Sequence, residues 1–191
     1  MILRIPFVAF AAAVLLGGCA TAPRIEGPVQ ATDLAALESW SATGRIAVAA
    51  AGSGGSGSFE WLQEGERSDV RIQGPVGIGG INLELEGDRV RLEASDGRRL
   101  EADAAWTELE RRLGVAVPAR NLRYWLLGIP APGEFAWLPV EPPLATLEQA
   151  AWRIAYERFG DGSGTRLPTR LTATSGDSRV RLIIDRWRLG P

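Results

Sequence analysis

Residues 80–102 read GINLELEGDRVRLEASDGRRLEA. Ile81, Leu83 and Leu85 alternate with Asn82, Glu84 and Glu86. Gly87-Asp88 turns the chain, and Val90 and Leu92 then alternate with Arg89, Arg91 and Glu93. Asp96-Gly97 turns it again into residues 98–102. A period of two interrupted by short turns is the pattern of half-buried antiparallel strands joined as a meander.

The same period extends in both directions. Upstream, residues 44–50 carry Ile46 and Val48 on one face, residues 58–63 form a second strand, and residues 69–73 alternate Val70 and Ile72. Residues 51–57 (AGSGGSG) read as a mobile hairpin loop, and residues 64–67 as a turn. Residues 33–40 space Leu34, Leu37 and Trp40 as a short helix, with Thr32 as its N-cap. Downstream, two helices interrupt the meander. Residues 104–113 set Trp106, Leu109 and Leu113 on one stripe, with Gly114 as the stop. Residues 118–127 begin with Pro118, place Leu122, Trp125 and Leu126 on one face, and end at Gly128. Strands are expected again at 134–138, 144–149, 152–159, 168–174 and 179–187. The fold class is therefore mainly β with helices (α+β): a curved antiparallel sheet with its helices on the concave side.

The N-terminus carries a different message. Arg4 precedes an apolar run over residues 5–16, then Gly17, Gly18 and Cys19, the only cysteine of the chain. This is the layout of a secretory signal, and the run is too short to span a bilayer. Residues 16–19 (LGGC) are similar to the lipobox of bacterial lipoproteins. That likeness implies removal of residues 1–18 as a signal peptide and lipidation of Cys19. It also implies that Ala20, where an Asp would favour inner-membrane retention, directs the protein to the outer membrane. Residues 19–32, with Pro23, Gly27 and Pro28, read as a flexible tether. Residues 33–191 are then one domain, large enough for a real core.

Composition excludes whole classes of function. The chain has no His and one Cys, so Cys/His metal sites and His-based catalytic pairs are ruled out. No catalytic and no metal-binding residues are assigned. A net charge of −2 argues against nucleic acid as a partner. All 21 basic residues are Arg, for which nothing in the sequence gives a physical reason. Carboxylate chemistry is left open, but Glu84, Glu86 and Glu93 fall on outward strand faces rather than in a cleft.

An ordered set of short motifs runs through the chain: Trp40, then 44–48 (GRIAV), 58–61 (SFEW), 74–77 (GPVG), 81–85 (INLEL), 118–130 (PARNLRYWLLGIP), 152–156 (WRIAY), 167–172 (LPTRLT) and 185–187 (DRW). In this order, with a lipobox, they resemble the outer-membrane lipoprotein receptor family LolB. The resemblance implies an incomplete β-barrel with helices covering an apolar cavity, and no enzymatic activity. It implies a receptor that accepts acylated lipoproteins from a periplasmic carrier (LolA-like) and inserts them into the outer membrane. The expected partners are that carrier, lipoprotein cargo and outer-membrane lipid. The expected state is a monomer on the periplasmic face. No cofactor is expected beyond the covalent lipid on Cys19 and the acyl chains of cargo as ligand.

Phe59, Trp61, Ile72, Leu83, Trp106, Leu122, Trp125, Leu126, Trp152 and Tyr156 are the candidate acyl-cavity residues, because they are large and lie on apolar faces. Ordinary core packing accounts for the same pattern. Pro75, Val76, Gly77 and Ile78 form the candidate membrane-insertion loop, similar to a family loop whose tip is usually Leu; here the tip is Val76. The competing reading is a structural or assembly lipoprotein of the outer membrane with a filled core. A carboxylate-dependent hydrolase is a further one.

Overall fold

The computed structural model describes residues 31–50, 53–75, 80–87, 89–113, 118–139, 145–162 and 164–190. Cys19, the expected signal peptide (1–18) and most of the expected tether (19–32) lie outside them. After a short helix α1 (Ala31–Ala35), six strands follow in succession. They are β1 (Ser39–Ala50), β2 (Ser53–Glu64), β3 (Arg67–Gln73), β4 (Ile81–Glu86), β5 (Arg89–Ala94) and β6 (Arg99–Glu101). Helices α2 (Ala102–Leu113) and α3 (Ala119–Leu127) come next. Five strands complete the chain: β7 (Ala136–Leu138), β8 (Ala145–Gln149), β9 (Trp152–Gly162), β10 (Thr165–Ser175) and β11 (Ser178–Leu189).

The described strands form one 11-stranded antiparallel sheet in the order β6-β5-β4-β3-β2-β1-β11-β10-β9-β8-β7. Neighbours in sequence are neighbours in space except at the centre, where β1 pairs with β11 and so joins the two meanders. The sheet does not close: β6 and β7 are its free edges. Helices α2 and α3 occupy the chain between those two edges, where an uninterrupted meander would have supplied the closing strands. They pack on the concave side, α2 against β5 and β6 and α3 against β10. Inward residues such as Leu83, Leu85, Val90 and Leu92 are buried, while Glu86, Arg89 and Arg91 face solvent.

Two local expectations are corrected. Residues 53–57 are strand, not loop: β2 pairs with β1 from Ser39↔Glu64 to Ala50↔Ser53. The glycines there allow close backbone approach. A Cβ on Gly57 would lie 2.0 Å from the Gln73 carbonyl oxygen, and one on Gly54 2.7 Å from that of Val48. The N-terminal helix stops at Ala35, and Trp40 belongs to β1. Its indole stacks on Trp61 (centroids 6.0 Å apart) and tilts against Trp187 (5.5 Å), a contact set only the strand can offer. The helical spacing of Leu34, Leu37 and Trp40 is coincidental.

Candidate functional site

The inward faces of β1–β4 and β11 meet α2 and α3 around a recess lined only by apolar side chains. Ile46, Val48, Phe59, Trp61, Val70 and Ile72 supply one wall. Leu83, Val180 and Leu182 extend it, and Leu109 of α2 with Leu122 and Leu126 of α3 form the roof. Its volume is about 50 Å³. A water molecule's share of liquid volume is about 30 Å³, so the recess is a seam held short of full packing, not an open hall. No lining side chain can titrate or donate a hydrogen bond into it except the Trp61 indole, whose N–H is turned away and donates to Gln63 Oε1 at 3.0 Å. Gln63 also accepts from Ser68 Oγ (2.7 Å) and donates to the Gly65 carbonyl (2.9 Å). Its amide is thereby satisfied and fixes Trp61 as one end of the recess, with Trp40 and Trp187 packed behind.

Six of the ten candidate residues line this recess: Phe59, Trp61, Ile72, Leu83, Leu122 and Leu126. Four do not. Trp106 is half-buried against the core. Trp125, Trp152 and Tyr156 fill the other half of the sheet. Trp125 packs on Trp152 (6.3 Å) and Tyr156 between Trp137 (6.0 Å) and Phe159 (5.9 Å). The reason is positional: the end of α3 lies down on β8–β10 and leaves no gap there. Trp125 is fully buried and donates to Gln149 Oε1 at 2.9 Å, which the Ala131 N–H also reaches at 2.8 Å. Gly128 caps α3 in the left-handed conformation (φ 80°) against Pro168.

Size was the wrong guide to the rest of the lining. Ile46, Val48, Val70, Val180 and Leu182 share the inward alternation of the strands, and Leu109 the apolar stripe of α2, but their side chains are smaller than the aromatics. The discriminating signal was strand identity, namely membership of β1–β4 and β11, which only the sheet order supplies. Of the candidate insertion loop, Pro75 is exposed at the end of β3, while Val76, Gly77 and Ile78 lie outside the described residues.

The polar chemistry lies away from the recess. Glu84 faces Arg67 (3.6 Å) and Arg91 (3.5 Å) on the convex side, and Glu93 pairs with Arg99 (3.3 Å). The one buried acid among the described residues, Glu108 on α2, is held by Arg111 (2.7 Å) and Arg98 (3.5 Å). Among the described residues no group of three acidic or Cys side chains converges to hold a metal. These carboxylates form ion pairs and do not build a hydrolytic cleft.

Fold and site define an open antiparallel half-barrel whose concave face is roofed by two helices over an apolar interior. The description "Outer membrane lipoprotein LolB" matches residues 38–187. The outer-membrane lipoprotein LolB of Alkalilimnicola ehrlichii is 36% identical over 193 residues, covering 96% of each chain. That of Stutzerimonas stutzeri is 33% identical over 188 residues, covering 92% of this chain and 91% of its own. A DUF1329 family protein from Desulfovibrio piger shares the fold alone, with a TM-score of 0.54 at 9% identity over 84% of this chain and 89% of its own. The chain belongs to the LolB family of outer-membrane lipoproteins. Its role is lipoprotein localisation at that membrane, and it is not an enzyme.

Proposed function

We propose that this outer-membrane lipoprotein receives the acyl chains of its cargo in the recess under α2 and α3. It takes them from a LolA-like periplasmic carrier and releases them into the bilayer. The observation that carries the reading is the wholly apolar lining shared between a curved sheet and two short helices. Each buried methylene is worth about 0.8 kcal/mol, so the few dozen methylenes of a lipoprotein anchor would cost on the order of tens of kcal/mol in water. Passage through the periplasm therefore needs a continuous apolar shelter. Transfer between two such shelters is close to thermoneutral, and the bilayer supplies the final descent without a nucleotide.

A seam of about 50 Å³ holds no acyl chain, so loading requires the roof to lift. Acyl groups then replace the strand-facing sides of Leu109, Leu122 and Leu126, exchanging one apolar contact for another at little net cost. The protein acts as a monomer, because its own helices cover its own recess.

The test uses Trp61, the tryptophan on the recess wall. Titration of the full chain with a triacylated lipopeptide should produce a saturable change in its tryptophan emission, and Trp61→Phe should remove most of that change. A filled, purely structural interior predicts no saturable change in the parent chain. In that case the acyl-binding reading is abandoned.

A further inference from the structure

The convex side carries a second feature, an open groove of about 440 Å³ at the sheet centre beside Pro75. Its floor is bare for a reason visible in the sequence. β1 presents Ala47 and Ala49 outward, and β2 runs beside it as Ser53-Gly54-Gly55-Ser56-Gly57-Ser58. Register sets Arg181, Ala47 and Ser56 in one row across β11, β1 and β2. Ile183, Arg45, Ser58 and Gln73 form the next, reaching β3. Two guanidiniums thus flank a shallow apolar trough rimmed by hydroxyls and an amide. Arg179, opposite Ala49, extends the cationic line and has no carboxylate partner among the described residues. This lies on a chain whose net charge is −2.

Both groove arginines already have a carboxylate partner: Asp185 accepts two hydrogen bonds from Arg45 (2.9 and 3.3 Å), and Glu157 meets Arg181 at 3.4 Å. Each guanidinium keeps further N–H groups that a phosphate can share without breaking its pair. The groove opens at the same end of the sheet as the β3–β4 connection, because Gln73, the last residue of β3, faces Ser58.

We infer that this groove binds the phosphate of an anionic glycerophospholipid at the membrane surface, with the glycerol against Ala47 and Ile183. A lipid suits the groove better than an acidic protein segment, because the trough combines a cationic rim with an apolar floor and the protein resides at a membrane. The site opens on the opposite face of the sheet from the acyl recess, and of the residues lining the two only Ile46 is shared.

The experiment places the photoreactive residue p-benzoylphenylalanine at Ala49, on the groove rim, in the full lipid-anchored chain. The protein is reconstituted in vesicles of phosphatidylcholine and phosphatidylglycerol, irradiated, and its adducts are read by mass spectrometry. Phosphatidylglycerol adducts should exceed that lipid's share of the bilayer. Arg181→Gln and Arg45→Gln should each lower them about fivefold, the effect of one cation at a membrane surface. Ala47→Phe, which fills the floor and keeps both charges, should lower them as well, whereas Arg67→Gln on the same face should not. Adducts that merely follow bulk composition, or that ignore these variants, overturn the inference. So does their suppression by inorganic phosphate, which would make this a free-anion site, or a protein as the main adduct. The Trp61 emission shift with lipopeptide should survive every groove variant, so the two readings fail separately.

Discussion

Gln149 makes four hydrogen bonds from a buried position, and they anchor the end of α3 and the segment that follows it to β8. Its Oε1 accepts from Trp125 Nε1 and the Ala131 N–H, and its Nε2 donates to the carbonyls of Ala131 (2.7 Å) and Glu134 (3.4 Å). Gln149→Leu leaves the indole and both polar groups of Ala131 buried without partners. At about 1–3 kcal/mol for each unsatisfied group, a loss of roughly 3 kcal/mol or more is expected in urea unfolding. Tyr156 behaves in the opposite way. Its hydroxyl is buried with no hydrogen-bond partner among the described residues, and burial pushes its pKa well above the ordinary tyrosine value. The folded state therefore holds this proton where the unfolded chain, titrating near pH 10, releases it. Stability is intact below that pH and falls as pH rises above it, by about 1.4 kcal/mol per pH unit from this group. Tyr156→Phe should leave stability at pH 7 unchanged or slightly higher and flatten the alkaline loss, as thermal melts between pH 7 and 11 would record. Gly44 is fixed by space. It sits at the irregularity in the β1–β11 ladder, and a Cβ there would lie 2.1 Å from the Ile183 carbonyl oxygen. Gly44→Ala should cost about 1–3 kcal/mol, the usual scale of an overpacked site, read in the same urea titration.

At the scale of elements, the two roofing helices are held unequally. The C-terminal half of α3 is pinned by the Trp125–Gln149 bond, by Trp152 and by Gly128 against Pro168. The first turn of α3 has no side-chain cap, and α2 packs on β5 and β6 with Glu108 reaching Arg98 at 3.5 Å, a contact at the sheet edge and not at its filled half. Opening should therefore hinge at the end of α3. Hydrogen exchange should be faster in α2 and the first turn of α3 than at residues 125–129, and lipopeptide should alter exchange in the former only. The strands, both helices and their inward faces were legible in the sequence, because period-two alternation and helix stops are local. The strand status of Ser53–Gly57 was not, since a Gly/Ser run signals a loop until a neighbouring strand pairs with it. Nor could alternation separate Trp61, on the recess, from Trp152, in filled core. Both point inward, and only the resting place of α3 divides a vacant half from a full one.

For the whole molecule, the consequence is a division of labour between sheet faces and ends. In the function we propose, the recess handles acyl chains and the end bearing Pro75 meets the bilayer. Binding cargo and delivering it are then separate steps with separate determinants. A receptor that sheltered acyl chains well but lacked a membrane-seeking element would retain them, since the bilayer's advantage is realised only once recess and lipid are in contact. Val76 lies outside the described residues; the family resemblance assigns it the tip of the connection, where we propose that it offers the bilayer a small apolar group, worth about 1.5–3 kcal/mol if fully buried. Placing a carboxylate there opposes burial in lipid. Val76→Glu should thus preserve the lipopeptide-induced shift of Trp61 emission yet sharply reduce transfer of cargo from loaded carrier to vesicles. Val76→Leu should equal or exceed the parent chain. Unchanged delivery by Val76→Glu would move the insertion role elsewhere on this end of the sheet. Loss of both signals would mean that the connection also supports the recess, and that shelter and release are one device rather than two.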